Sequence, residues 1–427
     1  MNQLLFERST GNVGPNVFAR LQTTQLVSSF RPAPHFRFDG GERGTAIHDG
    51  EAGPVDSSPG SHIWSHQAGV SALALERFEG RILISGGSDA SVKVWDLEQC
   101  GNPSRPKLHT YKPIARITRS AQAHKFGITH LSFYPFDAAA FLSTSYDQTL
   151  KSLAGHHGAV LATSWSPRHE HVLATGSVDG TVRIWDIRRA GGALGMLDQE
   201  DSLGLHYNGL LGQDGKARVR ASAKAHAGPV NSLTWTDDGA FIISAGHDRR
   251  IRVWDAATGR NTLASFGPSI KNSQLATTTM FTTPVGVTHP GKEVLFWPND
   301  TEILLLDLHD GHVITRLRGT GPAIAGSRAG GGAERTVKNR ITSIVWRGAG
   351  GGGASSGVIM GGSNMAGAVY SAHLDGQIRA WAPHLQGDDA EAEDEAVGLE
   401  DTEAKAKKRK AIDDVFKSLM GQKITFT

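Results

Sequence analysis

One phrase recurs along the chain and limits what it can fold into. It reads SGGSDASVKVWD ending at Asp96, ATGSVDGTVRIWD ending at Asp186, SAGHDRRIRVWD ending at Asp255 and SAHLDGQIRAW ending at Trp381. In each copy an aspartate precedes a tryptophan by six residues: Asp89 and Trp95, Asp179 and Trp185, Asp248 and Trp254, Asp375 and Trp381. Between them the side chains alternate, Val92 and Val94 against Ser91 and Lys93, which is the period of a half-buried strand. The aspartate stands in a tight turn with Gly or Ala, where its carboxylate bonds nearby backbone. A histidine opens most units, at His66, His124, His156 and His226, and a hydroxyl stands four residues before each aspartate, at Ser85, Ser143, Thr175, Ser244 and Ser371. A buried carboxylate needs donors, a buried imidazole an acceptor and a buried indole N–H a partner. One His, one Ser or Thr, one Asp and one Trp satisfy one another as an internal network that fixes strand register. These residues are therefore expected to be scaffold. A unit of this size cannot bury both faces alone, so several must pack together.

The recurring set resembles the WD-repeat family. The resemblance implies an all-β fold, a β-propeller of four-stranded blades around a central channel. Six repeat cores are recognisable, near residues 66, 124, 156, 226, 280 and 340. Residues 293–317 read as a worn strand–turn–strand unit, and the last repeat, from TVKNRITSIVW, has lost its histidine. The second copy, LSTSYDQTLKSLAGHHG, breaks the pattern. Position 153 is Leu153 where a tryptophan is due, and His156 follows Asp147 by only nine residues. Two strands and a reversal do not fit in that gap, so part of a repeat is missing near Leu150 and Lys151. Stretches around 39–61, 190–220 and 348–368 read as loops.

Residues 1–31 precede the repeats. A short helix around Leu4, Leu5 and Arg8 is separated by Gly11, Gly14 and Pro15 from a second one carrying Val17, Leu21 and Thr24 at helical spacing, with Phe18 beside them. This arm resembles that of the Cockayne syndrome group A family of nuclear WD-repeat substrate receptors at Leu5, Arg8, Thr10, Gly11, Pro15, Arg20, Thr24 and Val27. Further similarity lies in SGGSD at 85–89, SWSPRHEHVLAT at 164–175, WDIRRA at 185–190 and GRNTL at 259–263. The resemblance spans residues 1 to about 385 and implies seven blades, one more than the cores found. It also implies a function: substrate recognition for a cullin-4 RING ubiquitin ligase in transcription-coupled nucleotide excision repair. The implied partners are the ligase's large damaged-DNA-binding adaptor, cullin-4 and the RING subunit through it, the group B repair ATPase and stalled RNA polymerase II. The implied adaptor contacts are Leu5, Arg8, Gly11, Pro15, Phe18 and Arg20 of the arm, with Trp185, Asp186 and Arg188 of a WDxR sequence. The alternative is a general nuclear scaffold that binds histone tails or assembly factors.

The expected organisation is an adaptor-docking helix–loop–helix over 1–31, a linker over 32–61, the propeller over 62–385 and a mostly disordered tail over 386–427. Within that tail, residues 388–403 hold nine acids and no base, and KAKKRK follows at 405–410. Lys405, Lys407, Lys408, Arg409 and Lys410 read as a nuclear import signal, or as a charge run balancing the acids. The whole chain carries only +2, which speaks against sequence-specific nucleic-acid binding. No apolar run is long enough to span a membrane. Cys100 is the single cysteine, so no intrachain disulfide forms.

No enzyme, metal site or cofactor is expected. GAGGGGASSG at 348–357 lacks the Lys-Ser/Thr of a phosphate loop. His156, His157, His169 and His171 have no cysteine or spaced carboxylate to complete a tetrahedral set, and Cys100 has no His–Asn context.

Overall fold

The computed structural model describes residues 2–34, 36–41, 64–98, 109–120, 124–137, 140–145, 156–188, 193–199, 223–272, 274–284, 286–319, 340–347 and 367–383. The acidic tract, the basic hexamer, Cys100, Asp147 and the glycine-rich stretch 348–357 lie outside these residues.

The chain opens with α1 (Asn2–Ser9), α2 (Pro15–Ser28), β1 (Phe30–Pro32) and β2 (Phe36–Phe38). The first repeat gives β3 (Val70–Leu75), β4 (Ile82–Gly87) and β5 (Val92–Asp96), with β6 (His109–Tyr111) and β7 (Pro113–Ile117) after it. The second gives β8 (Ile128–Phe133) and β9 (Phe141–Ser145). The third gives β10 (Val160–Trp165), β11 (Val172–Ser177), β12 (Val182–Asp186) and β13 (Ala193–Leu197). The fourth gives β14 (Val230–Trp235), β15 (Phe241–Gly246) and β16 (Arg250–Asp255). The fifth gives β17 (Phe281–Thr282), β18 (Val294–Asn299), β19 (Glu302–Asp307) and β20 (Val313–Arg318). The sixth gives β21 (Ile341–Trp346), β22 (Val369–His373) and β23 (Ile378–Pro383).

Each repeat is an antiparallel meander. Five become sheets of three or four strands: β3-β4-β5-β7, β10-β11-β12-β13, β14-β15-β16, β17-β18-β19-β20 and β1-β23-β22-β21. The second core gives only the pair β8-β9 among the described residues. Among the described residues, five of the six repeats form blades, which keep their repeats' numbers here, and the second forms a truncated pair at the place where the sequence runs short. Small residues let neighbouring sheets close up. A Cβ added at Gly86 would lie 2.6 Å from Ile128 of the next sheet, and one at Gly176 would lie 2.7 Å from Val230.

The expected boundary at residue 31 needs correcting. Phe30–Pro32 and Phe36–Phe38, expected as arm and linker, are strands. β1 is the outer strand of the sixth blade, with Phe30 opposite Pro383 and Arg31 opposite Ala382. β2 pairs in parallel with β6, Phe36 opposite His109. The cause is apolar content: Phe30, Phe36 and Phe38 are buried, and Phe30 meets Phe296 edge-on at 5.9 Å. The start of the chain thus closes the sheet formed by the last repeat.

The first strands carry a β-bulge, which leaves over Ser71, Thr129, Leu161, Asn231 or Thr342. In two places this extra residue ties one blade to the next. Thr342 Oγ1 donates to Val70 O at 2.6 Å, and Ser71 Oγ donates to Ile128 O at 2.6 Å. The ladder stops at the truncated pair, where Thr129 Oγ1 bonds Thr144 Oγ1 of its own sheet at 2.8 Å. The Leu161 carbonyl accepts instead from Thr277 Oγ1 at 2.6 Å. The first strands β3, β8, β10 and β21, with residues 271–272 and 274–278, line a cavity of about 960 Å³. Among the described residues, no helix is long and apolar enough to cross a membrane.

Candidate functional site

The recurring polar set assembles as expected inside the blades. In the first, Trp95 Nε1 donates to Ser85 Oγ at 2.8 Å and His66 Nε2 lies 2.7 Å from the same oxygen. His66 Nδ1 lies 2.8 Å from Ser91 Oγ, which donates to Asp89 at 2.6 Å. An indole only donates, so the Ser85 hydroxyl hydrogen is free to point at His66 Nε2, which places the imidazole proton on Nδ1. The third blade repeats this with Trp185, Thr175, His156, Thr181 and Asp179 at 2.7, 2.7, 2.9 and 2.6 Å. In the fourth, His226 meets Asp248 directly at 2.9 Å, and Ser244 links it to Trp254. The sixth blade lacks an opening histidine, and His373 of β22 takes its place, 2.9 Å from Ser371, which accepts from Trp381 Nε1 at 2.8 Å. That substitution is visible only as a histidine two residues after Ser371, on the same face of a strand. Asp375 bonds Arg379 instead. In the first, third and fourth blades the His, the Ser or Thr, the Asp and the Trp are linked to one another in this way.

Burial alone would raise the Asp179 carboxyl, but bonds from the Thr181 side chain and backbone and from His157 N outweigh it and bring it down to about 2. Burial also lowers His156 and His226 below the usual 6.5. His130 on β8 differs, because neither ring nitrogen has a hydrogen-bond partner, and burial pushes it down to about 4. An unfolded histidine takes up its proton near 6.5. The unfolded chain therefore binds protons first as pH falls below that value, and stability drops between 6.5 and 4. His130→Leu is expected to remove on the order of 2 kcal/mol of that loss. Thermal melts of both proteins at pH 7 and pH 4.5 check this, and an equal loss in each would contradict it. The Asp179 contribution disappears only lower, as pH falls from 3.8 towards 2.

The expected adaptor residues fall into two patches at one end of the ring, where the first strands finish. In the arm, Leu5 and Phe6 are 48% and 66% exposed, and the Arg8 guanidinium stacks 4.8 Å over the Phe18 ring. Gly11 turns the chain at φ 78°, and Pro15 takes the first position of α2, where its missing N–H costs nothing. α2 buries Phe18 and Val27, while Val17 is 44% exposed, so its inward face differs from the one expected. Phe18 and Trp185 are thus core residues, unable to present their rings to a partner without rearrangement. Arg20 O accepts from Thr24 Oγ1 at 2.7 Å, and Thr23 Oγ1 reaches Val287 O in the turn after β17. The second patch lies at the end of β12. The Arg188 fork holds Asp186 by Nε and Nη2 at 3.0 and 2.8 Å, yet its side chain is 64% exposed.

The same lock recurs at two places that the sequence pattern did not reveal. Arg81 grips Asp96 at 3.0 and 2.6 Å, and Lys292 lies 3.4 Å from Asp307. Asp307, Asp310 and His312 are also close enough to hold a cation. Lys292 Nζ stands 3.4 Å from both carboxylates, and Asp307 accepts from His309 N and Asp310 N, so the trio reads as a turn with its own counter-charge.

The model of the WD domain, G-beta repeat, matches residues 58–96, 148–186 and 218–255. These segments end on the tryptophan strands of the first, third and fourth blades. The chain is a WD-repeat β-propeller. The WD-repeat protein ATCSA-1 of Arabidopsis thaliana is 27% identical over 311 residues, covering 47% of this chain and 69% of that protein. The ribosome biogenesis protein YTM1 of Phaeosphaeria nodorum is 29% identical over 194 residues, covering 44% of this propeller's chain but 38% of its own. The human F-box-like/WD repeat-containing protein TBL1X is 32% identical over 135 residues, 25% and 23% of the two chains. The crystal structure of the Doa1 WD40 propeller superposes on 74% of this chain and 79% of its own at a TM-score of 0.40 and 15% identity.

Proposed function

We propose that this WD-repeat protein is a nuclear substrate-recognition subunit of a cullin-4 RING ubiquitin ligase, acting in transcription-coupled repair. The observation that carries the reading is the pairing of two features at one end of the ring. One is a helical arm with exposed Leu5 and Phe6, and the other is an exposed Arg188 pre-set by Asp186. An apolar helix face suits a partner's groove, and a fixed guanidinium with N–H groups to spare suits carbonyls or carboxylates beside it. Similarity to ATCSA-1 supports the same reading. In it the propeller binds the large damaged-DNA-binding adaptor, and cullin-4 and the RING subunit follow through that adaptor. The group B repair ATPase and stalled RNA polymerase II are the partners at work. In this reading the propeller supplies binding surfaces, and the chemistry lies in the cullin-bound enzymes. The 405–410 bases serve nuclear import.

The second reading, a nuclear scaffold for assembly factors, draws on the similarity to a ribosome biogenesis protein. Pull-down of the purified adaptor separates the two. Leu5→Asp with Phe6→Asp is expected to weaken capture by tenfold or more, about 1.4 kcal/mol, with an unchanged melt. Arg188→Ala is expected to weaken it about threefold to tenfold. Full recovery with both variants would reject the receptor reading.

A further inference from the structure

Packing between neighbouring sheets is uneven around the ring. Five buried apolar clusters each span two sheets: sixth and first, first and second, third and fourth, fourth and fifth, fifth and sixth. Among the described residues no such cluster spans the second and the third. Trp95, Trp254 and Trp381 each belong to one of the five, whereas Trp185 of the third blade belongs to none of them.

The residues at the joint account for the gap. The cross-strand pair just past the bulge is small elsewhere: Ala72 with Gly86 in the first sheet, Ala162 with Gly176 in the third and Ser343 with Ala372 in the sixth. In β8-β9 it is His130 with Thr144. The space beside Gly86 and Gly176 is filled by Ile128 and Val230, each the first residue of the next sheet. Val160 holds the corresponding place at the start of β10, opposite the bulkier pair. It is 40% exposed, while Val70, Ile128, Val230 and Ile341 are 0%, 1%, 0% and 4% exposed at the starts of their own sheets. On the other side of the joint Leu142 is 47% exposed, where its counterparts Ile84 and Ala174 are 2% and 0% exposed. A gap of this kind forfeits the close contacts that hold the other sheets together. The bulge ladder stops at the same place, with Thr129 bonded inside its own sheet. Tyr134, in the turn after β8, reaches across. Its ring meets Trp165 edge-on at 5.5 Å, and its hydroxyl donates to Glu170 O at 3.5 Å.

We propose that the native ring parts at this joint, with β8-β9 swinging away from the third blade and Tyr134 acting as the latch. Thr144 and Val160 both line the central cavity, so parting opens that cavity sideways through its wall. β8-β9 stays on the first blade through their shared cluster. The polar set of the third blade lies within its own sheet and persists as the joint opens. Arg188 and the arm lie along the arc from the third to the sixth blade, whose clusters are continuous. The opening therefore stands or falls independently of adaptor docking.

The test is native-state thiol labelling of the full-length protein carrying Cys100→Ser. Leu173→Cys and Leu83→Cys place a thiol at the same point of the third and the first blade. Both leucines are buried, and each alternates along its strand with a residue of the cluster on the opposite face, Ala174 and Ile84. Leu83 thus faces the packed joint with the sixth blade, where it belongs to the shared cluster, and Leu173 faces the joint with β8-β9. Labelled with an excess of an aromatic disulfide, the Leu173→Cys thiol is expected to react at least about tenfold faster than the Leu83→Cys thiol, because it needs only a local opening. Tyr134→Ala is expected to speed the first about threefold or more and to leave the second unchanged. Should a cysteine variant melt early, hydrogen exchange of β8-β9 against β3-β4, with and without Tyr134→Ala, carries the same expectation. Equal labelling of the two thiols would overturn the proposal. So would a Tyr134→Ala variant that leaves the joint unchanged or speeds both sites alike.

Discussion

Ser244→Ala is expected to destabilise the propeller by about 2–5 kcal/mol, although it removes a single oxygen. That oxygen accepts from Trp254 Nε1 and lies 2.8 Å from His226 Nε2, and both rings are fully buried. Its loss strands two polar atoms where water cannot reach them, each at a cost of about 1–3 kcal/mol. Adding Trp254→Phe removes one of the stranded atoms, so the double variant is expected to recover part of the loss despite deleting more of the core. Urea titrations of the single and double variants read this coupling. Additive losses would show that the blade does not work as a connected network.

Deletion of residues 1–32 is expected to abolish the folded monomer, whereas deletion of residues 1–14 is expected to leave it standing with a loss of about 1 kcal/mol. The longer cut removes β1 and uncovers the edge of β23. It also takes Phe30 and Val27 out of a cluster with Phe296, Leu305 and Trp381, where buried apolar side chains are worth about 2–5 kcal/mol each. The shorter cut removes α1, whose Leu5 and Phe6 are exposed, and the Arg8 stack on Phe18. Circular dichroism and size-exclusion chromatography distinguish the outcomes. A folded 1–32 deletion would mean that the ring does not need its first strand. Adaptor binding is therefore best probed with the shorter cut, which removes the exposed helix and keeps the closing strand.

The blade framework was legible because its signal is chemical as well as periodic. Trp95, Trp185, Trp254 and Trp381 each need an acceptor, and a hydroxyl at fixed spacing supplies it. The sixth blade shows where such reading stops. His373 performs the task of a histidine that sits elsewhere in other repeats, and only a folded strand brings it to Ser371. β1 was missed because three residues carry no periodicity, and its partner is more than three hundred residues away. The locks of Arg81 and Lys292 were hidden for a different reason: each aspartate lies at the end of a later strand, and only strand pairing brings it back to its base. The missing part of the second repeat was read from spacing alone, and the structure shows its consequence in the bulge ladder that stops at Thr129.

Hydrogen exchange of the tryptophan indole N–H groups, followed by NMR on indole-labelled protein, examines the internal networks at their source. Trp95, Trp185, Trp254 and Trp381 are buried with their N–H bonded to Ser85, Thr175, Ser244 and Ser371. Their exchange is expected to occur only through global unfolding. Exchange of these four at the rate of a free indole would contradict the fold, and with it the view that their partners are scaffold.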